Sequence, residues 1–330
     1  MSPSVAVVIL NWNGRKHLET YLPSVVKHSG DAIIYLADNA STDDSVAYTK
    51  ENFPSVKFII NETNGGFAKG YNDALKDLTE DYFVLLNSDV EVTANWIPPV
   101  IEVLETKENV RIAQPKIKAY LHKEEFEYAG AAGGFIDYLG YPFCQGRIFD
   151  SIEKDNGQYN ISREVFWATG ACMFIKASLF KNLNGFDERY FAHMEEIDLC
   201  WRAKNMGYSV FYVAESTVYH LGGGTMNNTN PRKTFLNFRN SLMTLYKNDQ
   251  SNFRLFKLFL RMVLDGVAFF KLLISSGPKH AFAILQAHFS FYKMEKIRSS
   301  AENPNLAGIS TSSIVWMHYF RGVRKYSQLK

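Results

Sequence analysis

Over the first ~120 residues, short apolar runs of strand length alternate with helix-length segments, and each run ends in small polar residues. Val5 to Leu10 and Ala32 to Ala37 read as strands buried on both faces. Val56 to Ile60 and Tyr82 to Leu86 follow as a third and a fourth strand. Helices are expected between them, from about Lys16 to Lys27, Asp43 to Phe53 and Ala68 to Leu78. This order predicts an α/β fold: a mostly parallel, Rossmann-like sheet with helices on both faces. Ligands of such sheets bind at the carboxyl ends of the strands. Those ends read Asn11-Trp12-Asn13-Gly14, Asp38-Asn39, Asn64-Gly65-Gly66 and Asn87-Ser88-Asp89, so all four have the character of a site.

Each end suggests its own chemistry. A carboxylate at Asp38 suits the imide N–H of a uracil or thymine ring, with Ser41, Thr42 or Asp43 capping the next helix. The glycines at 65 and 66 permit close backbone approach, and the helix they open favours an anion such as diphosphate. Lys69 could pair with a phosphate. Asp89 is the best-placed oxygen ligand for a hard divalent ion, with Glu91 a helper beside it; an Asx-turn is the structural alternative.

From about Tyr120 to Arg163 the pattern has no clean period, and we read loops and an irregular acceptor-side region. Strands resume at Ala171 to Ile175 and Ser209 to Val213, with a helix at Glu196 to Met206 between them. That helix opens with Glu195, Glu196 and Asp198. Asp198 and Arg202 are four apart and should pair on one face, leaving Glu196 free to act as a general base. Acids in a first turn also complement the helix dipole. His220 precedes Leu221-Gly222-Gly223-Gly224 and is a metal candidate if those glycines fold it over a diphosphate.

Composition narrows the partners. A net charge of +2 gives no support for nucleic acid. Three widely spaced cysteines (Cys144, Cys172 and Cys200) fit neither a zinc site nor a disulfide framework, and buried thiols are expected. No signal peptide is expected at the amino terminus, where an apolar strand follows Met-Ser-Pro-Ser directly. A nucleotidyltransferase would carry a basic, glycine-rich triphosphate loop after its first strand, and Asn11 to Arg15 is too short and too poorly basic for one.

Together these segments resemble glycosyltransferase family 2 with the GT-A fold, in its bacterial rhamnosyltransferase-like branch. The resemblance rests on the four strand-end motifs, extended through Phe67-Ala68-Lys69-Gly70-Tyr71-Asn72. It continues in Gly170-Ala171, Gly185-Phe186-Asp187-Glu188-Arg189-Tyr190-Phe191, Glu195 to Arg202 and Tyr219-His220, and so runs from about residue 4 to 225. It implies an inverting single displacement by a hexosyltransferase-type enzyme, moving a sugar from a UDP- or dTDP-sugar to a hydroxyl of a glycan or lipid-linked acceptor. Rhamnose is one candidate sugar, and bacterial cell-surface polysaccharide or glycolipid synthesis the setting. Asn11, Asn13, Asp38, Asn64, Gly66, Lys69, Asn72, Asn87 and Ser88 would bind the nucleotide-sugar. Asp89 would bind Mg²⁺ or Mn²⁺ with His220 assisting, and Glu196 would be the base with Glu195 beside it. The chain has Asn87 where many relatives have a first aspartate, and Glu-Glu where Glu-Asp is common. Asp89 is therefore expected as the sole carboxylate ligand, and the choice between the two glutamates stays open.

By this reading residues 1–230 form the catalytic domain, with a nucleotide-sugar half of about 1–120 and an acceptor half of about 120–230. Residues 231–330 form an amphipathic helical extension. Its helices are expected at Lys233 to Asn248, Phe253 to Ser275 and Lys279 to Ile297. The second carries Arg254, Lys257, Arg261, Asp265 and Lys271, too many charges for a spanning helix. It should pack on the catalytic domain, form a homodimer surface or lie on a membrane. Lys293, Lys296, Arg298, Arg321, Arg324 and Lys325 favour anionic lipid. The expected location is the cytoplasm, peripheral to the inner face of its membrane. The competing class is a non-catalytic sugar-nucleotide or glycan-binding module on the same fold.

Overall fold

A computed structural model describes residues 3–222 and 230–329. The chain opens with β1 (Val5–Asn11), α1 (Arg15–His28), β2 (Ile33–Asp38), α2 (Ser45–Asn52), β3 (Lys57–Ile60), α3 (Gly66–Leu75) and β4 (Tyr82–Asn87). The expected alternation is present, with helix ends shifted by up to three residues. There follow β5 (Val90–Val92), α4 (Pro98–Thr106) and β6 (Val110–Ala119), then four short strands, β7 (Gly134–Asp137), β8 (Pro142–Cys144), β9 (Arg147–Ile148) and β10 (Ser151–Ile152). The second half holds β11 (Arg163–Val165), β12 (Cys172–Lys176), α5 (Ala177–Asn182), α6 (Glu195–Asn205) and β13 (Ser209–His220). It ends with α7 (Pro231–Asn248), α8 (Arg254–Ser275), α9 (Pro278–Lys293), β14 (Ile309–Ser310) and α10 (Ile314–Tyr319).

Among the described residues the main sheet has nine strands in the order β11-β13-β6-β12-β4-β1-β2-β3, with β5 paired to β13. β4, β1, β2 and β3 are mutually parallel, and β6 and β13 run the same way. β12 runs against them between β4 and β6, and β11 and β5 run against β13. Six of the nine strands therefore share one direction. Phe83 to Leu86 of β4 are fully buried because both edges are paired and both faces covered. Each such side chain contributes about 1.5–3 kcal/mol of apolar burial.

The loops expected from about Tyr120 to Arg163 are corrected by a second, five-stranded sheet, β10-β9-β8-β7-β14. Its strands hold two to four residues, too few to show a period, and β14 reaches β7 from residue 309. α7 packs against α6, α8 and α9. All three cysteines are buried free thiols. Gly223 and Gly224 lie outside the described residues.

Candidate active site

Sheet register builds the first part of the site. β5 begins one residue after Asp89, and Val90 pairs with His220 at the end of β13. The Leu221 N–H donates to the Asp89 carbonyl at 3.1 Å, which closes the pair. Asp89 Oδ1 thus lies 3.1 Å from His220 Nε2, and Asn87 Nδ2 lies 3.4 Å from the same nitrogen. On the far side, His220 Nδ1 is 3.5 Å from Glu127 Oε1. Burial alone would depress the imidazole, but the carboxylates of Glu127 and Asp89 outweigh it and push it up to about 10. Burial opposes ionisation of Asp89 too, yet His220 holds it below the usual carboxylate range. Glu91 turns away and pairs with Lys123.

A metal ion fits here in a limited sense. Asp89 offers a hard carboxylate oxygen of the kind Mg²⁺ and Mn²⁺ sites use, and His220 beside it can add an imidazole nitrogen only once an ion displaces its Nε2 proton. Among the described residues no group of three His, Cys, Asp or Glu side chains is arranged to hold an ion alone.

The first three strand ends form a second polar layer. Asn11 Nδ2 donates to Asp38 Oδ1 at 2.9 Å, and the Ser41 N–H donates to Asp38 Oδ2 at 2.9 Å. Asn13 Oδ1 accepts from the Thr42 N–H at 2.7 Å. A Cβ on Gly14 would come within 2.3 Å of Asn11 Oδ1 and 3.6 Å of Ser88 Oγ, so this turn requires glycine and brings Ser88 alongside. Asn39, which pattern reading did not single out, joins the second and third ends by donating to Asn64 Oδ1 and the Gly66 carbonyl, both at 3.0 Å.

At the third end, groups expected at the nucleotide-sugar have partners within the chain. The α3 terminus is not open to an anion: the Gly66 N–H donates to Asn64 Oδ1, and the Phe67 N–H donates to the Phe191 carbonyl at 2.8 Å. Unsatisfied helix-terminal amides are here consumed inside the protein. Lys69 pairs with Asp73 at 2.9 Å on the surface of α3. Asn72 clamps Phe186, donating to its carbonyl and accepting from its N–H at 2.9 and 2.8 Å.

That clamp, with the Phe191 bond, ties α3 to the segment that leads into α6. Phe191, His193 and Met194 all have positive φ (62°, 69° and 73°), a conformation costly for side chains of this size. α7 holds the segment in place. Asn240 Nδ2 lies within donating distance of the carbonyls of Tyr190, Ala192 and His193 at 3.1, 2.9 and 2.7 Å, and Arg239 donates to Arg189 and Tyr190. Asp198 is fully buried and accepts from Arg202, Lys247 and Asn248 at 2.8, 2.9 and 2.8 Å. Burial works against its charge, but Arg202 and Lys247 outweigh it and keep it ionised.

Glu195 and Glu196 stand apart from this network. One buried oxygen of each (Oε2) has no hydrogen-bond partner among the described residues, and the same holds for His193 Nε2. Burial, then the neighbouring Glu196, pushes Glu195 well above the usual range, so it stays protonated. Glu196 is half-buried, and burial pushes it up to about 7. Burial and Lys233 depress His193 to about 4, leaving it neutral. Pattern reading missed Glu127, Asn240 and Lys247. Glu127 sits in the region without a period, and the other two act across about fifty residues of sequence.

The arrangement as a whole is the GT-A fold, and solved GT-A proteins match it in architecture. Mannosyltransferase PcManGT from Pyrobaculum calidifontis, solved with GDP-Man and Mn²⁺, superposes with a TM-score of 0.53 at 12% identity, over 89% of this chain and 88% of that one. GalNAc-T7 with UDP, GalNAc and Mn²⁺ gives 0.56 at 17% identity, over 75% of this chain and 48% of that one. The Glycosyl transferase family 2 profile matches residues 6–183, more than half of the chain, and the protein belongs to that family of glycosyltransferases. Relatives include the N-acetylglucosaminyl-diphospho-decaprenol L-rhamnosyltransferase of Mycobacterium tuberculosis (strain CDC 1551 / Oshkosh), 26% identical over 67% of this chain and 76% of its own length. Rhamnosyltransferase WbbL of Escherichia coli (strain K12) is 39% identical over 48% of this chain and 59% of its own length.

Proposed function

We propose that the protein is an inverting glycosyltransferase that moves a sugar from a UDP- or dTDP-linked donor to the hydroxyl of a glycan or lipid-linked acceptor in one displacement. Rhamnose is the first sugar to test, since the M. tuberculosis and E. coli relatives are named for its transfer. We assign the catalytic domain to residues 1–230, with the donor half at about 1–120 and the acceptor half at about 120–230, and the helical extension to residues 231–330. The working setting is the cytoplasmic face of a bacterial membrane.

The observation that carries the reading is the α6 acid pair. Glu196 has an oxygen without a partner among the described residues and a proton affinity near neutrality, as a general base requires. Glu195 beside it, deeper and protonated, serves as its neighbour and not as the base. Glu196 takes the acceptor hydroxyl proton as the oxygen bonds to the anomeric carbon, and the bond to the diphosphate breaks on the opposite face. Asp38, Asn11 and Asn13 line the base and ribose side. Asp89 and His220 would hold Mg²⁺ or Mn²⁺, which when bound neutralises charge on the leaving diphosphate.

The test is a thermal-shift panel of UDP, dTDP, GDP and CDP with Mn²⁺, Mg²⁺ or EDTA, run on wild type and Asp89→Ala with transfer assayed in parallel. One nucleotide should stabilise wild type only with metal, because ligand bound to the native state raises stability by mass action. Asp89→Ala should keep the fold but lose that shift and all transfer; because it also strips buried His220 of its 3.1 Å carboxylate partner, its unliganded melting temperature should fall, and each shift is read against that protein's own baseline. Full transfer by Asp89→Ala would refute the metal assignment.

A further inference from the structure

α8 is built inside out for a helix surrounded by water. Two polar residues at its centre face the protein: Arg261 donates to the Leu139 carbonyl at 3.0 Å and lies 3.6 Å from the centre of the Tyr141 ring, and Asp265 accepts from His288 at 2.9 Å. Both are buried, at 3% and 1% exposure. A full stripe of its apolar residues faces outward. Phe256, Phe259, Val263, Val267, Phe270 and Ile274 follow one another at helical spacing of three and four, and each is more than half exposed. α9 repeats the pattern with Phe282, Leu285, Phe289 and Tyr292, all exposed.

The stripes join into one surface. Phe269 of α8 meets Phe282 of α9, with ring centres 6.0 Å apart. Between α8 and α10 an apolar recess of about 530 Å³ is lined by Leu260, Val263, Trp316 and Phe320, with Arg321 beside them. Trp316 and Phe320 are exposed and stacked at 4.4 Å. Scattered apolar residues on a surface need no explanation, but a continuous face of this size does. Among the described residues no helix is long and apolar enough to cross a membrane, so this face is suited to lying on one and not to spanning it.

Charge identifies what the face meets. Residues 251–330 carry 12 Lys and Arg against 3 Asp and Glu, while the first 250 carry 24 against 31. One of the three acids is the buried Asp265, and exposed Lys271, Lys279, Lys293, Arg321 and Arg324 belong to the same helices or their ends. We propose that the α8–α9–α10 face docks peripherally on an anionic lipid bilayer, with its aromatic stripes in the interface and the basic residues around them on lipid headgroups. A neutral partner surface would not call for this local excess of cations, whereas an anionic leaflet attracts each of them. α7 packs on α8 and α9 and also holds the segment before α6, so the docked face lies one helix away from the proposed base.

The test uses the whole chain and no sugar nucleotide, so its result is independent of the transferase mechanism. Protein is sedimented with phosphatidylglycerol vesicles and, separately, with phosphatidylcholine vesicles. Wild type should bind phosphatidylglycerol at least about tenfold more tightly than phosphatidylcholine, with binding weakened by salt. Phe259→Ser combined with Phe270→Ser should cut that binding by about tenfold or more at an unchanged melting temperature. Lys279→Glu combined with Arg321→Glu should lower it independently, guarding against a folding defect in the first variant. Wild type left in the supernatant, or a double Phe variant that binds like wild type, overturns the proposal. So does a dimer in light scattering that the Phe substitutions dissociate, which would assign the face to a second copy of the chain.

Discussion

Replacing Glu196 by Gln should stabilise the protein at alkaline pH while removing its turnover. The folded state binds the Glu196 proton more tightly than the unfolded chain, with the carboxyl raised from 4.5 to about 7. Stability from that bound proton is fully present below pH 4.5 and is lost as pH rises through 7. At about 1.4 kcal/mol per pH unit, the interval corresponds to about 3 kcal/mol, which partial exposure trims to about 2–3 kcal/mol. Gln keeps the shape and cannot ionise, so its stability lacks this slope. In urea denaturation the variant should differ from wild type by under about 1 kcal/mol at pH 5 and exceed it by about 2–3 kcal/mol at pH 8. Wild-type kcat/KM should rise with pH to a plateau above about 7, the acid limb of a general base, and the variant should show no turnover at any pH. Parallel stability profiles for the two proteins, or turnover retained by the variant, would refute the assignment; a dead Glu195→Gln beside an active Glu196→Gln would move the base to Glu195.

Asn240→Leu removes the amide that bridges three carbonyls of the 190–193 segment, and should cost about 2–4 kcal/mol in denaturation. Its kcat should fall far more than its nucleotide affinity, since the segment leads into the acids and not to the strand-end asparagines. Gly66→Ala would bring a Cβ within 2.5 Å of the Phe191 carbonyl at a φ of +81°. It should lower the melting temperature, costing about 1–3 kcal/mol, and reduce transfer by displacing Phe191; an unchanged melting temperature would contradict the close packing of α3 on that segment.

Much of the donor half was legible in the sequence because its information is local. A strand buried on both faces is written as a continuous apolar run, and in a parallel sheet every such run ends on the same edge. Asn11, Asp38, Asn64 and Asp89 could therefore be placed at one edge without coordinates. The Asp198–Arg202 pair was equally local, four residues apart on one helix. What stayed hidden depends on contacts between distant segments. Glu127 reaches His220 only because β6 and β13 pair, and the second sheet is built from strands too short to carry a pattern, with residues 309–310 arriving from far along the chain to form its edge. The glycine-led terminus of α3 reads as an anion site until the fold brings Phe191 to its amides. α8 shows the limit most sharply. Sequence determined that the helix has an apolar and a charged side, but its periodicity has the same form whichever side faces inward. Only tertiary packing, by burying Arg261 and Asp265 against Leu139 and His288, decided that the aromatic side faces out.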